Sequence, residues 1–192
     1  MNIRIPLLAM GLLVLASCGT SPKVDYHSLS VTAGPQERIV PSVKPVQVSA
    51  LHIPPSLDRK EMVMQTGPNA VDISDRDRWS APLGDMARQV LALNLQSRLA
   101  EGTVVVPDLP SAPDTAQIVV SLLQFGPDPN GKAVLVGGWS VTSGRTGKVV
   151  MRHDVSLSSN LRDASADAAA AAMSDLLGQL ATNIAKGLAR KS

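Results

Sequence analysis

Ile118-Val119-Val120-Ser121-Leu122-Leu123-Gln124-Phe125 is the stretch that decides the fold. It is β-branched and aliphatic on both alternating phases, the pattern of a strand in the middle of a sheet. Asp128-Pro129-Asn130-Gly131 follows, and Asn-Gly is a strong hairpin turn signal. Lys132 to Thr142 supplies a second strand, and Ser143-Gly144-Arg145-Thr146-Gly147 turns the chain again. In the third strand Val149, Met151, His153, Val155 and Leu157 alternate with Val150, Arg152, Asp154, Ser156 and Ser158, one face buried and one wet. The segment predicts an antiparallel three-stranded meander.

Two helical patterns flank it. Leu83, Met86, Ala87, Val90, Leu91, Leu95 and Leu99 recur at helical spacing, with Ser80 as expected N-cap, Pro82 in the first turn and Gly102 just past the end. A longer helix is expected from roughly Ala164 to Leu188, capped by Asp163 or Ser165, with Met173, Leu176, Leu177, Leu180, Ile184 and Leu188 as its stripe. Lys186, Arg190 and Lys191 suit its negative end. Shorter strands are expected at Tyr26–Val31, at Val46–Ile53 (Val46, Val48, Ala50 and His52 on one phase, stopped by Pro54-Pro55), at Glu61–Gln65, at Ala70–Ile73 and at Thr103–Val106. The expected class is α+β: an antiparallel or mixed sheet containing the meander, with both long helices on one face.

Composition narrows the function. The 192 residues carry a net charge of +2, and Tyr26, Trp79, Phe125 and Trp139 are the whole aromatic complement. Neither a basic patch nor stacking aromatics marks a nucleic-acid binder. His27, His52 and His153 have no partner at metal-ligand spacing, so no metal or other cofactor is expected. Gly138-Trp139-Ser140-Val141 departs from a nucleophile elbow at Val141, and no phosphate loop follows Gly137-Gly138, which instead marks a bulge or close packing. Asp72, Asp75, Asp77 and Asp85, interleaved with Arg76, Arg78 and Arg88, are taken as a solvated, charge-paired surface. Catalytic residues are none, and the chain is not expected to be an enzyme.

The amino terminus resembles a bacterial lipoprotein signal. Arg4 precedes an apolar run from Ile5 to Leu15, and Leu15-Ala16-Ser17-Cys18 matches the lipobox ahead of the lone cysteine. The resemblance implies a cleaved signal over residues 1–17, lipidation of Cys18 and a tether over residues 18–25. A single domain then fills residues 26–192. Two or more acyl chains hold a protein firmly on a membrane where one holds it marginally. Gly19, where an Asp would retain a lipoprotein in the inner membrane, directs it toward the outer membrane.

Further segments carry a second resemblance. They are Ile53-Pro54, Leu57-Asp58-Arg59, Met62-Val63, Arg78-Trp79-Ser80-Ala81-Pro82-Leu83, Val90-Leu91 and Asn94-Leu95, then Phe125, Trp139 and the Ala/Leu-rich terminal helix. Together they resemble the auxiliary lipoproteins of ABC-type transport systems, in the PqiC-like (YmbA-like) branch. The family pattern often has Tyr before Leu-Asp-Arg, where this chain has Ser56. The resemblance implies a non-enzymatic docking or scaffold subunit on the periplasmic face of the outer membrane. Its implied partners are an MCE-domain protein, an inner-membrane ABC transporter or permease component, or both, with self-association into a homo-oligomer. Leu57, Asp58, Arg59, Arg78, Trp79, Phe125 and Trp139 are then fold-signature or interface residues. Trp79, just before the helix, is expected to fold over its first turn against the sheet. A lipid carrier with an apolar cavity, or a structural envelope lipoprotein without a transport role, are the competing readings.

Overall fold

The structure is a computed structural model that describes residues 23–43 and 45–189. The signal segment, Cys18, Gly19, Arg190 and Lys191 lie outside the described residues. In chain order the elements are β1 (Asp25–His27), β2 (Val46–His52), a 3-10 turn (Pro55–Leu57), β3 (Glu61–Gly67), β4 (Ala70–Trp79) and α1 (Leu83–Arg98). β5 (Val104–Val105), β6 (Ala116–Pro127), β7 (Lys132–Thr142), β8 (Val149–Asn160) and α2 (Ala166–Ala189) follow. The fold is α+β, with two sheets where one was expected. A five-stranded mixed sheet has the order β5-β2-β6-β7-β8, and a three-stranded sheet has the order β1-β4-β3.

β6 is central, antiparallel to β7 and parallel to β2. Its central place is as expected, but its two phases differ in burial. Ile118, Val120, Leu122 and Phe125 are buried, while Leu123, on the other side, is 73% exposed. Both helices pack on the first face, so the apolar character of the second phase is left uncovered. A bulge at Leu123, between the pairs Leu122↔Gly137 and Gln124↔Val136, shifts the register opposite the paired glycines. A Cβ on Gly137 would overlap the Ser121 carbonyl, so close strand approach requires glycine there.

A second bulge overturns the phase read for β2. The register slips between Val48 and Ala50, so Leu51 is buried and His52 exposed. β8 keeps its expected phase with shallower burial, because it is an edge strand: Val155 is buried, while Met151, His153 and Leu157 are half-buried. β1 covers only Asp25–His27. The charged stretch from Asp72 to Arg78, taken as solvated surface, is the body of β4. Asp72, Asp75 and Arg76 face water, Asp77 and Arg78 are half-buried, and the main chain pairs with β3 and β1.

α1 starts later than expected. Pro82 holds the N-cap position with no side-chain cap, and the Ser80 hydroxyl instead lies 3.5 Å from Met86 Sδ. Leu99, not Gly102, closes the helix in an extended conformation; Gly102, with φ +73°, serves the next turn. α2 has a side-chain cap: Ser165 Oγ accepts from the Ala168 N–H at 3.1 Å, while Asp163 holds the Ser165 N–H at 2.8 Å.

The two helices meet around a buried cation. Arg98, 5% exposed, lies in the last turn of α1, where the helix dipole favours positive charge. Its guanidinium donates to Thr182 Oγ1 on α2, to the Asn94 carbonyl and Oδ1, to Ser97 Oγ, and to Thr32 Oγ1 and the Ala33 carbonyl. No carboxylate takes part, and burial pulls the Arg98 pKa down from its usual range. Asn94 Oδ1 also accepts from the Thr32 N–H and hydroxyl. The segment after β1 thus becomes a strap across the helix seam, fixed also by Ser30 N–H to Ser174 Oγ at 3.0 Å. A Cβ on Gly178 would overlap Thr32 Oγ1, so α2 needs glycine where the strap crosses.

Arg98→Met removes the donor that satisfies Thr182, Thr32 and Asn94 together, and should cost about 3 kcal/mol or more. Chemical denaturation measures it. Arg98→Met combined with Asn94→Leu should cost less than the two single losses added, since both act on one network. A single variant as stable as the parent would refute a stabilising role for the cluster.

Candidate functional site

The Leu-Asp-Arg segment begins in the 3-10 turn that Pro54 and Pro55 start. Asp58 N–H closes that turn on the Pro55 carbonyl at 3.2 Å, and Arg59 N–H bonds the Leu57 carbonyl. The segment therefore turns Leu57 inward and leaves Asp58 and Arg59 in water. Arg59 Nε donates to Glu61 Oε2 at 3.0 Å, and this bond is the main reason the Glu61 carboxyl sits below its ordinary value.

Trp79 ends β4 and is 5% exposed. Its N–H bonds the Lys60 carbonyl at 2.7 Å, and the next N–H, from Ser80, bonds the His27 carbonyl. Leu57, Trp79 and Phe125 line one small void together with Met62, Leu83 and Met173. Four elements and the 3-10 turn therefore converge on Trp79, with Leu83 contributing the first turn of α1. Arg78 pairs in register with Tyr26 and Glu61, and its Nε is buried without a hydrogen-bond partner. Trp139 lies apart, on the inner face of β7 below α2. Its indole N–H donates to Asn183 Oδ1 at 2.9 Å, His153 stacks on it with centroids 4.6 Å apart, and Gly187 lets the helix approach the ring. Asp58 lines a separate shallow hollow with His52, Pro82 and Asp85.

Beside the Trp79 cluster opens a groove of about 430 Å³. Leu57 and Arg59 reach it from the signature segment, and Val63, Val71, Ile73 and Leu123 are among the residues of its apolar wall. Val71 and Leu123 are 59% and 73% exposed, so the groove is open along one side. The sequence reading assigned no site to Val71, Ile73 or Leu123. The available signal was Val71 and Ile73, two apolar side chains at strand spacing inside an otherwise charged run. It also gave no role to Arg98, or to Asn94 beyond the resemblance; the two fall four apart on the apolar stripe of α1.

Where β1 meets β4, His27 Nε2 lies 2.9 Å from Asp77 Oδ1. Ser74 Oγ–H donates to Asp77 Oδ2 at 2.8 Å and accepts from the Asp77 N–H, shaping a bulge in β4. The Ser74 hydroxyl first, and His27 second, hold the Asp77 carboxyl below its ordinary value. Among the described residues, no group of three or more His, Cys, Asp or Glu is placed to hold a metal ion, and no helix is long and apolar enough to cross a membrane.

The model of the ABC-type transport auxiliary lipoprotein component family matches residues 27–185, from β1 to the last turns of α2. The chain belongs to that family. It is 27% identical over 135 residues to the intermembrane transport lipoprotein PqiC of Escherichia coli K12, covering 69% of this chain and 71% of that one. The Shigella flexneri PqiC matches equally. Among solved structures, an uncharacterised protein superposes with TM-score 0.70 at 22% identity, over 86% of this chain and 98% of that one. Protein XCC0632 of Xanthomonas campestris gives TM-score 0.68 at 15% identity, over 85% and 93%. These two likenesses establish the shared fold. The family is one of auxiliary transport lipoproteins, not of known enzymes.

Trp79→Ala should destabilise the domain by about 3–5 kcal/mol, the range for deleting a large buried aromatic. Denaturant midpoints report this, and unchanged stability with lost partner binding would instead make Trp79 an interface residue. A carboxylate depressed in the folded state contributes stability above its unfolded pKa and loses it as pH falls through the folded value. For Asp77 the window lies below its ordinary 3.8. Asp77→Asn should therefore flatten the loss of stability on acidification below about pH 4, read by thermal melts across that range.

Proposed function

We propose that this chain is a non-catalytic subunit of an MCE-type or ABC-type intermembrane lipid transport system. In this reading it is anchored through Cys18 to the periplasmic face of the outer membrane and docks the far end of the apparatus. The family match over residues 27–185 carries the reading. The relatives named as intermembrane transport lipoproteins support it. Both helices and both sheets contribute to one buried apolar core, as suits a scaffold, and the apolar groove supplies a surface for a partner. A lipid carrier is the rival. The groove volume falls within the range of small-ligand sites. Its open side, however, would leave much of an acyl chain in water.

A photo-crosslinking amino acid at Val71 of the membrane-anchored protein, followed by mass spectrometry, should recover an MCE-domain or permease component. Capture of lipid alone would favour the carrier.

The anchor and the assembly have their own tests. Cys18→Ala should give a folded but mislocalised precursor or soluble protein that takes up no palmitate analogue; undiminished label would remove the anchor from Cys18. The soluble domain should self-associate beyond a dimer through two different surface patches. Sedimentation that shows a strict monomer at micromolar concentration would leave only the heteromeric role.

A further inference from the structure

β8 ends the five-stranded sheet, and among the described residues no strand pairs with its outer side. The phase of its ladder is fixed at the hairpin end, where the Leu161 N–H bonds the Gly131 carbonyl at 2.9 Å. In an antiparallel ladder, pairs that exchange main-chain bonds alternate with pairs that do not. Counted back from Leu161 through the unbroken register to Met151, the odd-numbered residues bond β7 and the even-numbered ones turn their N–H and C=O groups outward. The Ser158 carbonyl agrees, since the Gln179 amide reaches it from α2 at 3.4 Å. That bond closes the free edge at one end, and the register shift that skips Val150 closes it at the other. Between them Arg152, Asp154 and Ser156 hold the outward main-chain groups, and all three residues are exposed.

Sheet edges are commonly blunted by prolines, bulges or inward-pointing charges. None of these interrupts the run from Met151 to Ser158, where Arg152 and Asp154 both point to the wet face. These two charges make the edge complementary to itself. Two copies of β8, antiparallel about a two-fold axis at His153, set Arg152 opposite Asp154 twice, at positions whose outward groups can exchange main-chain bonds. On the other face, Met151 of each copy meets Val155 of its partner. Sliding the pair by two residues in either direction sets Arg152 against Arg152 or Asp154 against Asp154. A slide of one residue brings outward groups opposite inward ones. Charge and main-chain phase therefore select one register.

We propose that β8 is a self-pairing edge: two copies of this chain join β8 to β8 in that register. One sheet then runs through both copies, with both α2 helices on the same face. The contact is isologous, one patch used by both partners. It rests on the self-association proposed above and names one of its patches; growth past two copies falls to a second. A strand of another protein would need an acid and a base at matching alternate positions, which β8 supplies from its own sequence.

The test is charge exchange, read by sedimentation of the purified full-length chain in detergent. Arg152→Asp sets acids opposite acids in the self-pair, and Asp154→Arg sets bases opposite bases. Each should keep the parent melting temperature and weaken self-association by about tenfold or more. Mixed in equal amounts, the two variants regain both opposite-charge pairs and should associate with each other about as tightly as the parent does with itself. The double variant should recover likewise. In the parent, the amides of Arg152, Asp154 and Ser156 should exchange more slowly as concentration rises. Single variants that associate like the parent, or a mixture that does not recover, overturn the β8 pairing and leave self-association standing. A parent that stays monomeric overturns both.

Discussion

The Arg98 guanidinium is the constraint to which the rest of the architecture answers. A buried cation is costly unless its donors are satisfied, and here, among the described residues, neutral groups do it in place of a carboxylate. Its partners come from three separate parts of the chain: the last turns of α1, the middle of α2 and the strap after β1. Satisfying one charged group therefore fixes the helix–helix angle, the depth of the strap and the need for Gly178 where the strap crosses. Apolar packing alone would hold the helices together but would specify none of these registers. Neutral partners in place of an acid also spare the cluster any dependence on a carboxylate's protonation.

The helices and the meander were legible in sequence because their signals are local and periodic. Leu and Met at helical spacing, Asn130-Gly131 at a turn and alternation through β8 each report an element without tertiary information. What escaped was decided by partners distant in sequence. Nothing near Val48 or Leu123 announces a bulge; each is set by the register of a neighbouring strand. The charged β4 reads as surface because Asp72, Asp75 and Arg76 do face water, while its main chain pairs with β1 and β3 and tucks Asp77 and Arg78 part-way in. Within the candidate site, Leu57, Trp79 and Phe125 converge as a cluster. Trp139, quoted with them from the same resemblance, belongs to the opposite, helix-covered region. Asn94 and Arg98 show the other kind of loss: polar residues on an apolar stripe gain meaning only when Thr32 and Thr182 arrive.

The split into two sheets explains why the groove exists. One continuous sheet would have closed the gap between the end of β6 and the β3–β4 hairpin. Pro54 and Pro55 end β2 early, the 3-10 turn carries the chain sideways, and the β3–β4 hairpin begins again as a separate sheet whose apolar face leans over the gap. The Trp79 cluster holds the hairpin's base against α1 and β6. Rigid support below and an exposed apolar wall above, at Val71 and Leu123, follow from two prolines and one tryptophan.

The placement of β1 has a mechanical consequence. Its three residues run parallel to the end of β4, in the pairs Asp25↔Asp77, Tyr26↔Arg78 and His27↔Trp79, and the strap continues directly into the helix seam. Tension drawn along that strand from the preceding segment would load the three pairs simultaneously, as a lap joint does, instead of peeling them one after another. Beyond them it would meet Leu29, Ser30 and Thr32, each seated in the interior or bonded to a helix. A domain built this way can be tugged from its amino-terminal side with the strain arriving at its most deeply bonded region.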